Sequence, residues 1–236
     1  MSKPMLIIPA RAGSQRIPKK NTRVLGGKPL VLWSIETAIA LQHFCDCCVV
    51  VTSDDTEILE LSAKAGVTHV LKRDESLATD TASTSDVITD VIGRIADPLS
   101  DEVVVLLQPT SPFRNLRDIK KAIEIIEATD CDSVISVAET RDLPWWTFTK
   151  NADNVLKPIF ESRYFRTRSQ DLPKTYIPNG SICATRKSKF LEHRTFYMDR
   201  VFPLELGFQH NIDLDTELDW RWAEFLVSEK DSSIWQ

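Results

Sequence analysis

From Met5 to Glu139, short β-branched runs alternate with longer amphipathic ones: "MLIIPA", "PLVLWSIETAIALQ", "CVVVTS", "DTEILELSAKAG", "VTHVL", "TSDVITDVIGRIA", "EVVVLLQ", "LRDIKKAIEIIEA" and "DSVISVAE". Strand-like and helix-like segments taken in turn predict successive βαβ units, hence an α/β fold with a mostly parallel sheet and helices on both faces. Several strand segments are apolar throughout, as they must be when helices cover both sides. Capping residues fall where helices should begin and end. Asp54 or Asp55 precedes the segment holding Ile58 and Leu61, Gly66 follows it, and Asn115 stands before "LRDIKKAIEII".

The alternation stops at Arg141. Residues 141–176, "RDLPWWTFTKNADNVLKPIFESRYFRTRSQDLPKTY", are rich in aromatic, proline and basic side chains. Aromatics beside arginine are typical of interfaces, so the expectation is a protruding arm that meets a second copy of the chain. A long loop folded over the sheet is the alternative. Beyond it, "GSICAT" and "HNIDLD" read as short strands and "TELDWRWAEFLVSE" as a closing helix. The 236 residues suit one large α/β unit, read as a single domain over 1–236.

The net charge of −5 argues against a general nucleic-acid surface. No apolar run is long enough for a membrane span or a signal peptide, which places the chain in the cytoplasm. Cys45, Cys47, Cys48, Cys131 and Cys183 are odd in number and lack a framework spacing, which fits reduced thiols. The cluster "CDCC" runs straight into "VVVTS" and reads as small apolar residues entering a buried strand rather than as a soft-metal site.

Within this acidic chain, "IIPARAGSQRIPKKN" gathers positive charge just past the first strand. In open α/β sheets ligands bind beyond the carboxyl ends of the strands, and the first loop is the usual place for phosphate. Ala12, Gly13 and Ser14 are small enough to let backbone N–H groups approach an anion, and Arg11, Arg16, Lys19 and Lys20 can neutralise it. Neither a Walker A loop nor GxGxxG is present. Late in the chain, "IDLDTELD" sets Asp213 and Asp215 two apart, on one face of an extended segment. Paired carboxylates suit Mg²⁺, although Asp215 could equally cap the following helix.

In order, "ARAGSQRIPKKN", "GKPL", "LATDTAS", "LLQPTSPFR", "QDLP", "NG" and "DLDTELD" resemble the motifs of cytidylyltransferases that activate sialic acids and related nonulosonic acids. The resemblance covers nearly the whole chain. It implies a Rossmann-like nucleotidyltransferase fold, a homodimer, and Mg²⁺-dependent transfer of CMP from CTP to the anomeric hydroxyl of a nine-carbon sugar acid. It further implies roles by position: Arg11, Ser14, Lys20 and Asn21 for the triphosphate and ribose, Arg73, Ala82 and Thr84 for the cytosine, Gln108 for the sugar acid, Asp213 and Asp215 for metal. Arg11, Lys20 and Asp213 would then be catalytic. Because such a sugar carries a carboxylate, Arg163, Arg166 and Arg168 of the arm are candidates for a bidentate clamp.

Some positions depart from the family's pattern. Gln15 stands where Lys is usual, Ala12 where Gly is usual, Ser169 where a second basic residue is common, and Cys183 where an aromatic is common. The leading expectation is an N-acylneuraminate cytidylyltransferase. A pseudaminic or legionaminic acid enzyme, a metal-dependent glycosyltransferase using the DxD pair, and a non-catalytic nucleotide-sensing protein are the alternatives.

Overall fold

Strand β1 (Met5–Pro9) has no polar residue on either face, and such a strand is stable only at the centre of a covered sheet. In a computed structural model, which describes residues 3–14, 16–79, 81–97, 100–207 and 210–229, it occupies that place. It pairs in parallel with β4 (Cys48–Ser53) on one side and β6 (Val103–Leu106) on the other, and β4 pairs in parallel with β5 (His69–Lys72). Between β1 and β4 lie a hairpin of β2 (Val24–Leu25) and β3 (Lys28–Pro29) and the helix α1 (Leu30–Leu41). Helices α2 (Thr56–Lys64), α3 (Thr84–Ile95) and α4 (Leu116–Ala128) make the following crossovers.

Beyond β7 (Ser133–Glu139) the chain makes the arm, which holds a hairpin of β8 (Phe148–Lys150) and β9 (Leu156–Pro158). It then returns as β10 (Tyr176–Arg186), followed by α5 (Lys187–His193), β11 (Val201–Glu205) and α6 (Glu217–Ser228). The main sheet has the order β11-β7-β10-β6-β1-β4-β5, and only β10 is antiparallel to its neighbours. Helices on both faces and a mostly parallel sheet are as the alternation requires.

Alternate residues of β1 feed two cores. Leu6 and Ile8 pack with α1, α2 and α4 through Ile35, Ile58 and Ile119. Met5 and Ile7 face α3 and α5 through Ile88 and Phe190. Each fully buried aliphatic side chain of this size contributes about 1.5–3 kcal/mol, so the two faces together fix the register of β1. A third cluster lies under the first loop, where Ile17 and Leu25 meet Ile212, Leu214 and Trp220 of the last segment. It ties the start of the chain to its end.

Helix capping follows the sequence at three places: Asp55 accepts from Glu57 N, Asn115 accepts from Arg117 N, and Gly66 takes φ +85° after α2. Two expectations change. "HNIDLD" is not a strand: Leu214 N bonds to Thr110 O, and residues 211–215 form no ladder among the described residues. Alternation nonetheless persists, with Ile212 and Leu214 buried and Asp213 and Asp215 turned away. The region after "GSICAT", unassigned from sequence, holds α5 and the edge strand β11, and β10 itself is eleven residues long.

The arm holds itself together. Trp145 packs its ring on Phe160 and Tyr164, with centroids 5.0 Å away in each case, Phe148 stacks on Phe165, and Trp146 Nε1 donates to Tyr164 O at 2.8 Å. At its neck Thr140 N donates to Thr175 O at 2.9 Å, and the two threonine hydroxyls hydrogen-bond to each other. Among the described residues no helix is long and apolar enough to cross a membrane. The five cysteines are free thiols, and burial pushes Cys47 and Cys183 up to about 12, which leaves them unreactive.

Candidate active site

A cleft of about 640 Å³ opens at the carboxyl ends of β1 and β6. The loop after β1 makes one wall. It is held from several sides: Asn21, nearly buried, donates from Nδ2 to Arg11 O at 2.9 Å, and its own carbonyl accepts from Val31 N. Lys19 adopts φ 51°, and its carbonyl accepts from Thr22 N and Arg23 N. A lysine in the left-handed region is strained, and here the strain closes the loop. Lys19 and Gly13 do not line the cleft, and the Ala12 N–H is already given to Asp54 Oδ1 at 2.9 Å. The backbone nest expected at Ala12 and Gly13 is therefore not what faces the cavity.

Charge faces it instead. Arg11, Arg16, Lys20 and Arg73 line the cleft together with Ser14, Asn21, Ala82, Thr84 and Gln108, and Asp213 and Asp215 close it from the last segment. Arg11 donates to Thr79 O at 3.2 Å. Arg73 is nearly buried and donates from one terminal nitrogen to Thr52 O, while its Nε has no hydrogen-bond partner. Burial lowers its pKa, and the nearby Arg11 lowers it further against the pull of Asp54. An anion in the cleft would offset the repulsion between the two guanidiniums.

The two carboxylates differ. Lys20 Nζ donates to Leu214 O at 2.5 Å and lies 3.5 Å from Asp215 Oδ1, while Arg16 NH1 stands 3.1 Å from Asp215 Oδ2. The Arg16 pair is solvent-exposed, worth no more than about 1 kcal/mol, so a ligand can displace it at little cost. Among the described residues Asp213 has no ion pair of this kind. Loss of water raises its carboxyl pKa, and Asp215 adds to the rise; a hydrogen bond with Thr110 and the Lys20 charge oppose it. The open question over Asp215 has an answer too: Thr216 caps α6, with Asp219 completing a capping box, so Asp215 is left for the cleft.

The cleft gathers Arg11, Ser14, Lys20, Asn21, Arg73, Ala82, Thr84, Gln108, Asp213 and Asp215 from five separate stretches. Arg163 and Arg168 are not in its wall. Each is exposed and paired within the arm, Arg163 with Glu161 at 3.0 Å and Arg168 with Asp171 at 2.7 Å. Gln15 lies outside the described residues. Arg16, expected from the sequence to help neutralise an anion, does line the cleft, whereas Thr110 is a contact that sequence reading did not single out and nothing marked.

A sheet with this strand order, a cationic first loop and two carboxylates across the cleft define a Rossmann-like nucleotidyltransferase. The structure of CMP:2-keto-3-deoxy-manno-octonic acid synthetase complexed with CTP superposes with a TM-score of 0.71 over 97% of this chain and 100% of that one, at 18% identity, and so bears on the fold alone. Residues 5–218 match the cytidylyltransferase family, and the chain belongs to it. Among its relatives, CMP-N,N'-diacetyllegionaminic acid synthase of Legionella pneumophila is 36% identical, with 94% of this chain and 95% of that protein covered. Pseudaminic acid cytidylyltransferase of Campylobacter jejuni is 31% identical, covering 95% and 96%. N-acylneuraminate cytidylyltransferase of Streptococcus agalactiae is also 31% identical, over 98% of this chain but 56% of the longer streptococcal protein.

Proposed function

We propose that this chain transfers CMP from CTP to the anomeric hydroxyl of a nonulosonic acid, releasing pyrophosphate. The observation that carries the reading is the meeting, in one cleft, of the cationic loop and the Asp213–Asp215 pair from opposite ends of the chain. In the transfer the sugar oxygen bonds to the α-phosphorus and the bond to the pyrophosphate oxygen breaks. Arg11 and Lys20 neutralise the phosphates, and Gln108 orients the sugar acid. Asp213, whose carboxyl is already raised, takes the hydroxyl proton. Arg73, Ala82 and Thr84 are assigned to the cytosine side, Ser14 and Asn21 to phosphate and ribose.

Mg²⁺ fits the donors. Among the described residues no group of three or more His, Cys, Asp or Glu gathers to hold an ion alone. Two carboxylates beside a phosphate-sized cationic wall suit a hard cation that completes its shell with substrate oxygens and water. Asp213 and Asp215 would hold it, and when bound it supplies charge neutralisation at the phosphates.

N-acylneuraminate remains a substrate to test, but the 36% identity to a legionaminic acid synthase puts N,N'-diacetyllegionaminic acid first in the panel, with pseudaminic acid third. A homodimer completes the proposal. Phe148, Val155, Leu156, Ile159 and Phe160 of the arm are 38–58% exposed, an apolar patch that a second copy would cover. Arg163 and Arg168 can clamp a substrate carboxylate only if an arm reaches a cleft, which in this reading is the work of the second copy. CTP as co-substrate keeps the reaction in the cytoplasm. The test is pyrophosphate release from CTP with each acid; release that needs neither Mg²⁺ nor acid would refute the reading.

A further inference from the structure

Arg114 closes the motif "LLQPTSPFR" and lies beneath the cleft, outside its lining. It is 6% exposed, and its guanidinium donates to three separate elements: Nε to Ser181 O in β10 at 3.1 Å, NH1 to Ser34 Oγ in α1 at 2.5 Å, and NH2 to Gln108 O at 2.5 Å. All three acceptors are neutral, and among the described residues no carboxylate forms a salt bridge with it. Burial pushes the group down to about 9, with the Cys183 thiol opposing. A buried cation held only by dipoles is costly, and a core of this kind would be at least as stable with an apolar side chain. The bonds it makes explain where it sits.

Gln108 stands at the end of β6, and its side chain meets the bulge of β10 between Pro178 and Cys183. There Gly180 takes φ +69°, and a Cβ on it would lie 2.6 Å from Gln108 Oε1. The bulge is pinned further at Asn179, where Ser111 Oγ donates to Asn179 O at 3.1 Å and Ser136 Oγ to Asn179 Oδ1 at 2.6 Å. Arg114 bridges the two partners, Gln108 through its carbonyl and β10 through that of Ser181.

We infer that Arg114 is a positioning residue: its buried fork locks the Gln108 backbone to strand β10 and helix α1, and thereby fixes the Gln108 side chain on the acceptor side of the cleft. The inference rests on the proposed transfer for its catalytic consequence, and on the Gln108 geometry alone for its structural one. Lysine at 114 keeps the charge but cannot span three acceptors.

Full-length Arg114→Lys, Gln108→Ala and the double variant test it. In Arg114→Lys, kcat/KM for the acceptor acid falls about tenfold or more, while the affinity for CTP, titrated without acceptor, stays within roughly twofold. In the Gln108→Ala background the same substitution costs nothing further, because its target is gone. Additive losses, or equal losses for CTP and acceptor, would overturn the inference in favour of simple core support. Gly180→Ala displaces Gln108 without touching Arg114 and has the same acceptor-selective signature. A readout independent of turnover is the Gln108 side-chain amide resonance, identified by its absence in Gln108→Ala. Arg114→Lys shifts it and leaves that of Asn21 in place; an unmoved resonance sinks the inference even if the parent protein proves to transfer nothing.

Discussion

The first loop and the arm are both rich in arginine and lysine, yet they use them in opposite ways. In the loop the basic groups converge: Lys20 reaches Leu214 and Asp215 across nearly the whole chain, and Asn21 braces the backbone from behind. In the arm Arg163 and Arg168 are spent on acids two or three residues away, and large apolar side chains stay exposed beside them. Positive charge in a sequence therefore marks an anion site only where distant segments hold it in place. In the proposed function the loop faces a ligand and the arm a second copy.

The sharpest test of that division removes the carboxylates. Asp213→Asn or Asp215→Asn lowers turnover at saturating CTP by at least ~100-fold with the fold retained; near-parental rates in either would end the metal assignment. For Asp213 the sign of the linkage adds a second reading. Its folded-state pKa is raised above the unfolded value, so the stability it contributes is full below the unfolded pKa and is lost as pH rises through the folded one. Asp213→Asn therefore melts no lower than the parent at neutral pH without added metal, as thermal denaturation of the two would show.

Lys20→Met comes next. It removes the charge that faces the phosphates and the tie to Leu214, and kcat/KM for CTP falls roughly 100-fold. An arm variant gives the contrast: Phe148→Ser with Leu156→Ser converts the proposed dimer to monomers in sedimentation, leaves CTP binding unchanged, and raises the acceptor KM about tenfold. Loss of CTP binding in that variant would erase the distinction between the regions. The smallest effect is on stability alone. Gly26, at φ +59°, would place a Cβ 2.4 Å from Val227, so Gly26→Ala costs about 1–3 kcal/mol and lowers the melting temperature by several degrees without changing KM.

How much could be read beforehand follows the same line. β1, β4 and β6 were legible because strands covered on both faces must be apolar, and Asp55 and Asn115 because a cap is a local contact. β11 was not: "VFPLE" carries a proline and sits at an edge, where pairing with β7 decides it. "IDLD" alternates like a strand but finds a single backbone bond, since Lys20 occupies the Leu214 carbonyl. Arg114 was visible only as the end of "LLQPTSPFR", and its burial depends on Ser34 and Ser181, 80 and 67 residues away on either side. Composition cannot tell a buried arginine from a surface one.

The neck formed by Thr140 and Thr175 carries a consequence for how such a protein can diverge. The chain leaves the sheet at β7 and re-enters at β10 through one closed point, so what lies between behaves as a cassette. Its length and side chains can drift, or be grafted from a relative, without shifting a rung of the main ladder. In the proposed reading, nucleotide chemistry and partner recognition are thus free to change at different rates.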